Sequence, residues 1–372
     1  MRPTRALCSL LLAVTVLAAP ALAVPGATDR IPGATLLVPF FETGIDSGTH
    51  PHDTLLVVTS WFAGDITFHY HVWDVDGNAT GLNGNITLDG RDTWDVAMRD
   101  LIAAAAPAVR TQLTEGAFYR GFVTIDVVTA ATALHPGEAG YPFGTANGLE
   151  GFIYYTRLSQ GSANGLSMVP LENVPPTTDE LMRGFYTGGD NREEIDSTAR
   201  FCAQQVSTDP NGTTACSNAS DDDDIDRIDM RVFRVAPLSG STRAVVFTWN
   251  PGQIGGPSVF CDADPCPSLY TFQEYDQEGN VLQNTTIRLD HVVNVIEDSQ
   301  LVGTVAGWIS ILNVPNVGID TQVYAFSFNS ANPAGNPNLT WDAIFEAFIL
   351  PGDGVLVSAA VVEQGLEPLP EE

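Results

Sequence analysis

The sequence contains no lysine: all 16 basic residues of its 372 are arginine, set against 45 aspartates and glutamates. The formal net charge is −29 and the pI about 4.2. A chain with this balance and no basic stripe repels phosphates, which excludes a nucleic-acid partner and disfavours anionic membrane surfaces. Charge is nevertheless sparse, at 16% of residues against 44% hydrophobic, so the acidity sits on a foldable chain rather than a disordered polyelectrolyte. Three motifs are also missing: a Gly-x-Ser-x-Gly elbow, a His-Glu-x-x-His helix and a phosphate loop. No nucleophile, metalloprotease or nucleotide signature therefore selects an activity.

Long apolar runs are confined to the start. Arg2 and Arg5 precede an apolar stretch from Ala6 to Ala19, which closes on Ala21-Leu22-Ala23. That pattern reads as a secretory signal over 1–23, cleaved after Ala23. Removing it takes two arginines and no acid, so −29 becomes −31. The acidic tail, 359–372, carries no hydrophobic anchor. The expectation is an extracytoplasmic protein (secreted, periplasmic or at the cell surface) without a membrane anchor. Cysteine is scarce: Cys8 leaves with the signal, and Cys202, Cys216, Cys261 and Cys266 remain. An even number in an oxidising compartment predicts disulfides, the local pairing 202–216 with 261–266 being one of three. Neither spacing makes a Cys-x2-Cys zinc knuckle.

What the chain does have is short β-branched and aromatic runs cut by turns. Thr54 to Trp61 and Ile66 to Trp73, joined by Phe62-Ala63-Gly64-Asp65, read as a hairpin. In the second run Ile66, Phe68, Tyr70 and Val72 share one face, and Thr67, His69, His71 and Trp73 the other. Asp74-Val75-Asp76-Gly77-Asn78 then supplies a turn. Trp94 to Val109 reads as a short helix broken at Pro107, and Gly121 to Val128 and Gly151 to Leu158 as strands.

The second half repeats this order. Ala244-Val245-Val246-Phe247-Thr248-Trp249 echoes Leu56-Val57-Val58-Thr59-Ser60-Trp61, and Tyr275-Asp276-Gln277-Glu278-Gly279-Asn280 echoes Trp73 to Asn78. Thr286 to Leu289 matches Asn85 to Leu88, Gly307-Trp308-Ile309-Ser310-Ile311 matches Gly121 to Ile125, and Val323 to Phe326 is set against Ile153 to Thr156. The fold class expected is all-β: two tandem, internally related antiparallel β-sandwich domains, Ig-like or jelly-roll-like, with short helices in the connections. The boundaries are 24–175 and 225–358, with a cysteine-containing acidic linker over 176–224. The layout resembles exported, signal-bearing bacterial proteins built from repeated β-sandwich modules.

Two constellations suggest metal chemistry. His50, His52, His69 and His71 fall close together, and imidazoles near a carboxylate suit zinc or copper. The aligned positions in the second copy are Thr271 and Gln273, which makes a solvated polar face the competing reading. Asp221, Asp222, Asp223, Asp224, Asp226 and Asp229 are suited to extracellular calcium, though without the EF-hand glycine and glutamate. Asp74 and Asp76 resemble part of a calcium loop and fit a turn better. A self-repelling linker is the alternative for the acidic run, and the surplus acid also suits tolerance of high salt. No catalytic residue is selected; any two of the acids could form a glycosidase pair. The function expected is non-catalytic, structural or binding an extracellular protein or glycan, with a metal-dependent or carbohydrate-active enzyme as the alternative. Trp61, Trp73, Trp249, Trp308 and Trp341 are the aromatics able to stack on sugars, or to fill cores.

Overall fold

The computed structural model describes residues 32–46, 48, 51–157, 162–173, 185–186, 192, 227–232, 239–249, 268–297, 299–301, 307–313, 322–332, 341–346 and 348–350. The signal segment, all five cysteines, Asp221 to Asp226 and the acidic tail lie outside them. The fold is all-β, with antiparallel sheets in two contact groups.

Sheet I of the first half holds β1 (Thr35–Gly44), β3 (Ile66–Trp73), β4 (Ala79–Leu88), β7 (Phe118–Val127) and β10 (Val169–Leu171), with the two-residue β6 (Thr114–Glu115) beside β7. Sheet II holds β2 (His52–Ser60), β5 (Thr93–Ala97), β8 (Leu149–Arg157) and β9 (Ser162–Ser167). In the second half, sheet III holds β11 (Arg227–Val232), β13 (Ser268–Asp276), β14 (Val281–Leu289), β16 (Gly307–Asn313) and β19 (Phe348–Leu350). Sheet IV holds β12 (Ser239–Trp249), β15 (Val293–Ile296), β17 (Gln322–Asn332) and β18 (Trp341–Glu346).

The strand orders coincide. Sheet I runs β10-β1-β7-β3-β4 and sheet III runs β19-β11-β16-β13-β14; sheet II runs β5-β2-β8-β9 and sheet IV β15-β12-β17-β18. Taken in chain order, each strand of the second half occupies the place of its counterpart in the first. Among the described residues, the first half adds α1 (Met98–Ala104), α2 (Pro107–Leu113) and β6 between β5 and β7.

Sequence patterning explains the layering. All ten residues of β1 are buried, as expected of a strand covered on both faces. In β12, Ala244 and Val246 point into the core between sheets IV and III, whereas Val245, Phe247 and Trp249 belong to the first-half cluster. Tyr324, Phe326 and Phe328 of β17 and Val293 of β15 join them there. Sheet IV thus contributes one face to each hydrophobic cluster, and its second face lies against sheet I.

Several sequence expectations change. The hairpin is absent: β2 pairs with β5 and β8, and β3 with β4 and β7, so the Phe62–Asp65 link crosses between sheets. It has neither the length nor the residues of a two-residue hairpin turn. Thr93–Ala97 is a strand rather than helix, because its backbone completes the edge of sheet II. Pro107 starts α2, where its missing N–H costs no helix bond. Register places Gly151 and Phe152 opposite Val58 and Val57, as Ala325 and Phe326 lie opposite Val246 and Val245. Phe326 therefore corresponds to Phe152, not Thr156. The disulfide expectation is corrected: no disulfide is present among the described residues, and Cys202, Cys216, Cys261 and Cys266 lie outside them. A bridge requires Cα atoms about 4.4–6.8 Å apart, and an even cysteine count says nothing about that separation.

Candidate functional site

The same aromatic turn is built twice. In the first copy Asn78 N donates to Asp74 Oδ1 at 2.8 Å, Asn78 Nδ2 donates to Oδ2 at 3.1 Å, and Gly77 N donates to Asp74 O at 3.2 Å. In the second, Asn280 N donates to Asp276 Oδ1 at 2.7 Å, Asn280 Nδ2 to Oδ2 at 2.8 Å, and Gly279 N to Asp276 O at 3.2 Å. Gly77 and Gly279 have φ of +84° and +83°, a conformation cheap only for glycine. Each turn is preceded by a register shift in its hairpin.

Above each turn sits a stacked aromatic pair. Trp73 and Phe122 lie 5.7 Å apart at an interplanar angle of 5°; Tyr275 and Trp308 lie 5.2 Å apart at 12°. A glycine admits each pair. A Cβ on Gly121 would meet Trp73 O at 2.0 Å, and one on Gly307 would meet Tyr275 O at 1.8 Å.

The two copies differ in what covers them. Trp73 and Phe122 are fully buried under sheet IV. Trp249 crosses them at 6.1 and 5.6 Å with angles of 69° and 73°, and Phe247 meets Phe122 edge-on at 5.2 Å. At the turn itself, His291 Nδ1 pairs with Asp76, Val293 N donates to Val75 O at 3.0 Å, and Gly77 lies against Val292. The Asp76 carboxylate raises the His291 pKa through that hydrogen bond, against burial. Tyr275 and Trp308 are only half-buried.

At the other end of the same contact, Glu42 accepts from Arg243 Nη1 at 3.0 and 2.9 Å, from Arg120 Nε at 2.9 Å, and faces His52 Nδ1 at 3.3 Å. Burial pushes the Glu42 carboxyl up, but Arg243, the His52 hydrogen bond and Arg120 outweigh it and hold the group well below the usual carboxylate range. Arg243 also covers Phe328 at 4.8 Å. A cavity of about 30 Å³ opens here, lined by Glu42, Asp53, Tyr155, Arg157, Asn164 and Arg243. That is room for water and too little for a sugar ring. Burial raises the Asp53 pKa, opposed by hydrogen bonds from the backbone of Thr54 and Arg99.

The histidines separate. His50 lies outside the described residues and His52 serves Glu42. His69 and His71 do share a face, with ring centroids 6.1 Å apart, yet they are buried rather than solvated. His69 Nδ1 meets Tyr141 Oη at 3.0 Å and Nε2 meets Asn83 Oδ1 at 3.3 Å. His71 lies 4.6 Å from the Trp73 ring and 6.0 Å from His135, and neither ring nitrogen has a hydrogen-bond partner among the described residues. Burial pushes its pKa down to about 3, helped by its histidine neighbours. Among the described residues, no group of three or more His, Cys, Asp and Glu is placed to hold a metal ion. Asp74 Oδ2 also accepts from Gln112 at 2.9 Å, so the Asp74 carboxylate serves the turn while Asp76 serves His291. Asp221, Asp222, Asp223, Asp224 and Asp226 lie outside the described residues; Asp229 sits in β11 between Ser310 and Phe348.

The most exposed tryptophan described is Trp61, at 58%. It directly follows β2, at the position equivalent to Trp249, the last residue of β12. Its Nε1 donates to Glu150 Oε2 at 2.8 Å, which fixes the indole in solvent. Tyr154, 38% exposed, lies along β8 on the Glu150 face, and Phe62, 40% exposed, adjoins Trp61. Sequence reading named Trp61 among five tryptophans and had no means to rank it, because alternation tells inside from outside only once the sheets are placed.

No helix among the described residues is long and apolar enough to cross a membrane. No family model and no curated protein matches the chain. Among solved structures, a lectin from Pleurotus ostreatus in complex with GalNAc aligns at 10% identity over 86% of this chain and 80% of its own, with a TM-score of 0.16. A putative beta-galactosidase from Bacteroides fragilis aligns at 10% identity over 82% of this chain and 32% of its own, TM-score 0.13. A beta-glucuronidase from Parabacteroides merdae aligns at 11% identity over 87% and 30%, TM-score 0.14. The chain thus spans about a third of the two bacterial enzymes. Likeness at these scores carries no argument about what this chain binds.

Proposed function

We propose that the chain is a non-catalytic extracytoplasmic protein of two tandem sandwiches, over 24–175 and 225–358, whose working surface is the outer face of sheet II. The observation that carries this reading is Trp61: a large apolar side chain 58% exposed, held by Glu150 and flanked by exposed Phe62. An immobilised aromatic in water has little conformational entropy left to lose on contact and a large area to bury, as at interaction hot spots. A non-catalytic reading fits the buried carboxylate of Glu42, which two guanidiniums keep ionised and so unable to carry a proton near neutral pH.

A glycan is the second reading, favoured by the Trp61–Glu150 pair, since an indole face with an adjacent carboxylate suits both the C–H face and the hydroxyls of a sugar. Affinity electrophoresis through gels containing neutral polysaccharides tests it. Retardation lost in Trp61→Ala supports the glycan; retardation unchanged by that substitution, or none with any polysaccharide, removes it. The broader reading fails if Trp61→Ala and Tyr154→Ala leave every measured association of the protein unaltered.

A further inference from the structure

The stretch between the two sandwiches, 176–224, enters the core at Phe185, Tyr186 and Arg192, each at most 2% exposed. Phe185 N donates to Arg192 O at 3.1 Å, which sets the first of these residues beside the last. One end of the group grips the first half. Tyr186 Oη donates to Asp126 Oδ2 at 2.8 Å, and Arg192 Nε lies 4.0 Å from Oδ1 of the same carboxylate. Arg192 donates from Nε to Thr35 Oγ1 at 2.8 Å, from Nη1 to Asn173 Oδ1 at 3.0 Å and from Nη2 to Gly144 O at 2.6 Å. Its guanidinium also lies 4.8 Å from the Phe143 ring. The other end grips the second half: Phe185 stacks on Trp249 at 5.4 Å and 16°, and its carbonyl accepts from Trp249 Nε1 at 2.6 Å.

Neither grip stands alone. Asp126 is fully buried in β7, where a carboxylate without a cation is strongly disfavoured, and among the described residues Arg192 is the cation brought to it. Burial and the Asp126 charge keep the Tyr186 phenol protonated, and so a donor to that carboxylate. Satisfying Asp126 thus docks Tyr186, and docking Tyr186 lays its neighbour Phe185 on Trp249. Trp249 is the side chain that crosses Trp73–Phe122 in the contact between sheets I and IV. From these contacts we propose that Phe185, Tyr186 and Arg192 form a clasp, latched on Asp126 in the first half, that holds Trp249 of the second half in the seam.

A plain tether limits how far two sandwiches can separate and does not decide how they face each other. A clasp fixed at both ends adds a two-state element. Closed, it covers the Asp126 charge and one face of Trp249; open, it uncovers both together. Loosening the Asp126 end therefore releases Trp249, although no hydrogen bond or ring contact joins Arg192 to Trp249 among the described residues. This holds whatever the outer face of sheet II binds.

The rate of hydroxyl-radical oxidation at Trp249, read by mass spectrometry on the full chain and its variants, tests this. Tyr186→Phe keeps the ring and removes only the hydroxyl that reaches Asp126; Arg192→Met removes the cation and leaves the carboxylate. The expected result is oxidation of Trp249 raised about tenfold or more in Arg192→Met and several-fold in Tyr186→Phe. Circular dichroism establishes that each variant is folded. Met168→Ala, which removes a buried side chain beside Gly151 and leaves the clasp intact, is expected to keep Trp249 unreactive. A folded Tyr186→Phe in which Trp249 is as unreactive as in the unaltered chain overturns the proposal. So does a rise of the same size in Met168→Ala, which would make the effect a general loss of stability. Should Arg192→Met fail to fold, Tyr186→Phe decides.

Discussion

Trp73–Phe122 and Tyr275–Trp308 are two castings of one local structure with different fates. Both rest on a glycine that lets the neighbouring strand approach, and both stand over an Asp-x-x-Gly-Asn turn closed by the same hydrogen bonds. The first is buried under Trp249 and Phe247 and is part of what holds the halves together. The second is half-buried. The aromatic turn is thus a local device set by sequence, whereas its energetic weight comes from the sheet laid over it.

That difference can be broken most severely at the part the copies share. Gly121→Ala and Gly307→Ala each drive a methyl into a backbone carbonyl at 2.0 and 1.8 Å, where no side chain can yield. Both substitutions are expected to cost on the order of 3 kcal/mol or more in urea unfolding, despite the unequal burial of the two sites. The aromatics themselves are expected to separate the copies. Trp73→Ala or Trp249→Ala empties a fully buried site and costs about 3–5 kcal/mol; Trp308→Ala costs about 1 kcal/mol. Equal losses would mean that the second stack is covered as fully as the first.

Removing one partner of the seam's ion pair comes next. Glu42→Gln leaves Arg243 and Arg120 facing a neutral amide and is expected to cost about 3 kcal/mol. The paired substitution Glu42→Leu with Arg243→Met is expected to recover much of that loss, since both charges then disappear together.

The pH response distinguishes the two histidines nearest the first turn. His71 has a native pKa of about 3 against 6.5 in the unfolded chain. Between these values the unfolded state holds a proton that the native state lacks, so stability falls by about 1.4 kcal/mol per pH unit on acidification from 6.5 toward 3. His291 has the opposite sign: its pKa is raised by Asp76, so its contribution is complete below the unfolded value and is lost as pH rises through the native one. Replacing His71 with phenylalanine is expected to flatten the acid limb of the stability curve, and replacing His291 with glutamine to flatten only the limb near neutrality.

Much of this was legible in the sequence wherever the determinant was local. The turn glycines, the Asp-to-Asn closure, the alternation of β3 and the order of repeated blocks all depend on residues a few positions apart. What failed depended on distant partners. The faces of β3 separate as the alternation predicts, but the solvated-face alternative for His69 and His71 fails because Tyr141 and sheet IV, which help bury that side, lie far along the chain. The β2–β3 hairpin failed for the same reason: alternation finds a strand and cannot say which strand it pairs with. Trp61 could not be told from Trp249, since both end the same kind of strand. Only the placement of sheet IV shows one to be a seam residue and the other a free surface.

Hydroxyl-radical footprinting of the full chain, read out by mass spectrometry, tests the account most directly. The account predicts that Trp73 and Trp249 stay unreactive while Trp61 is oxidised early. Early oxidation of Trp249, or a Trp61 as unreactive as Trp249, would contradict it.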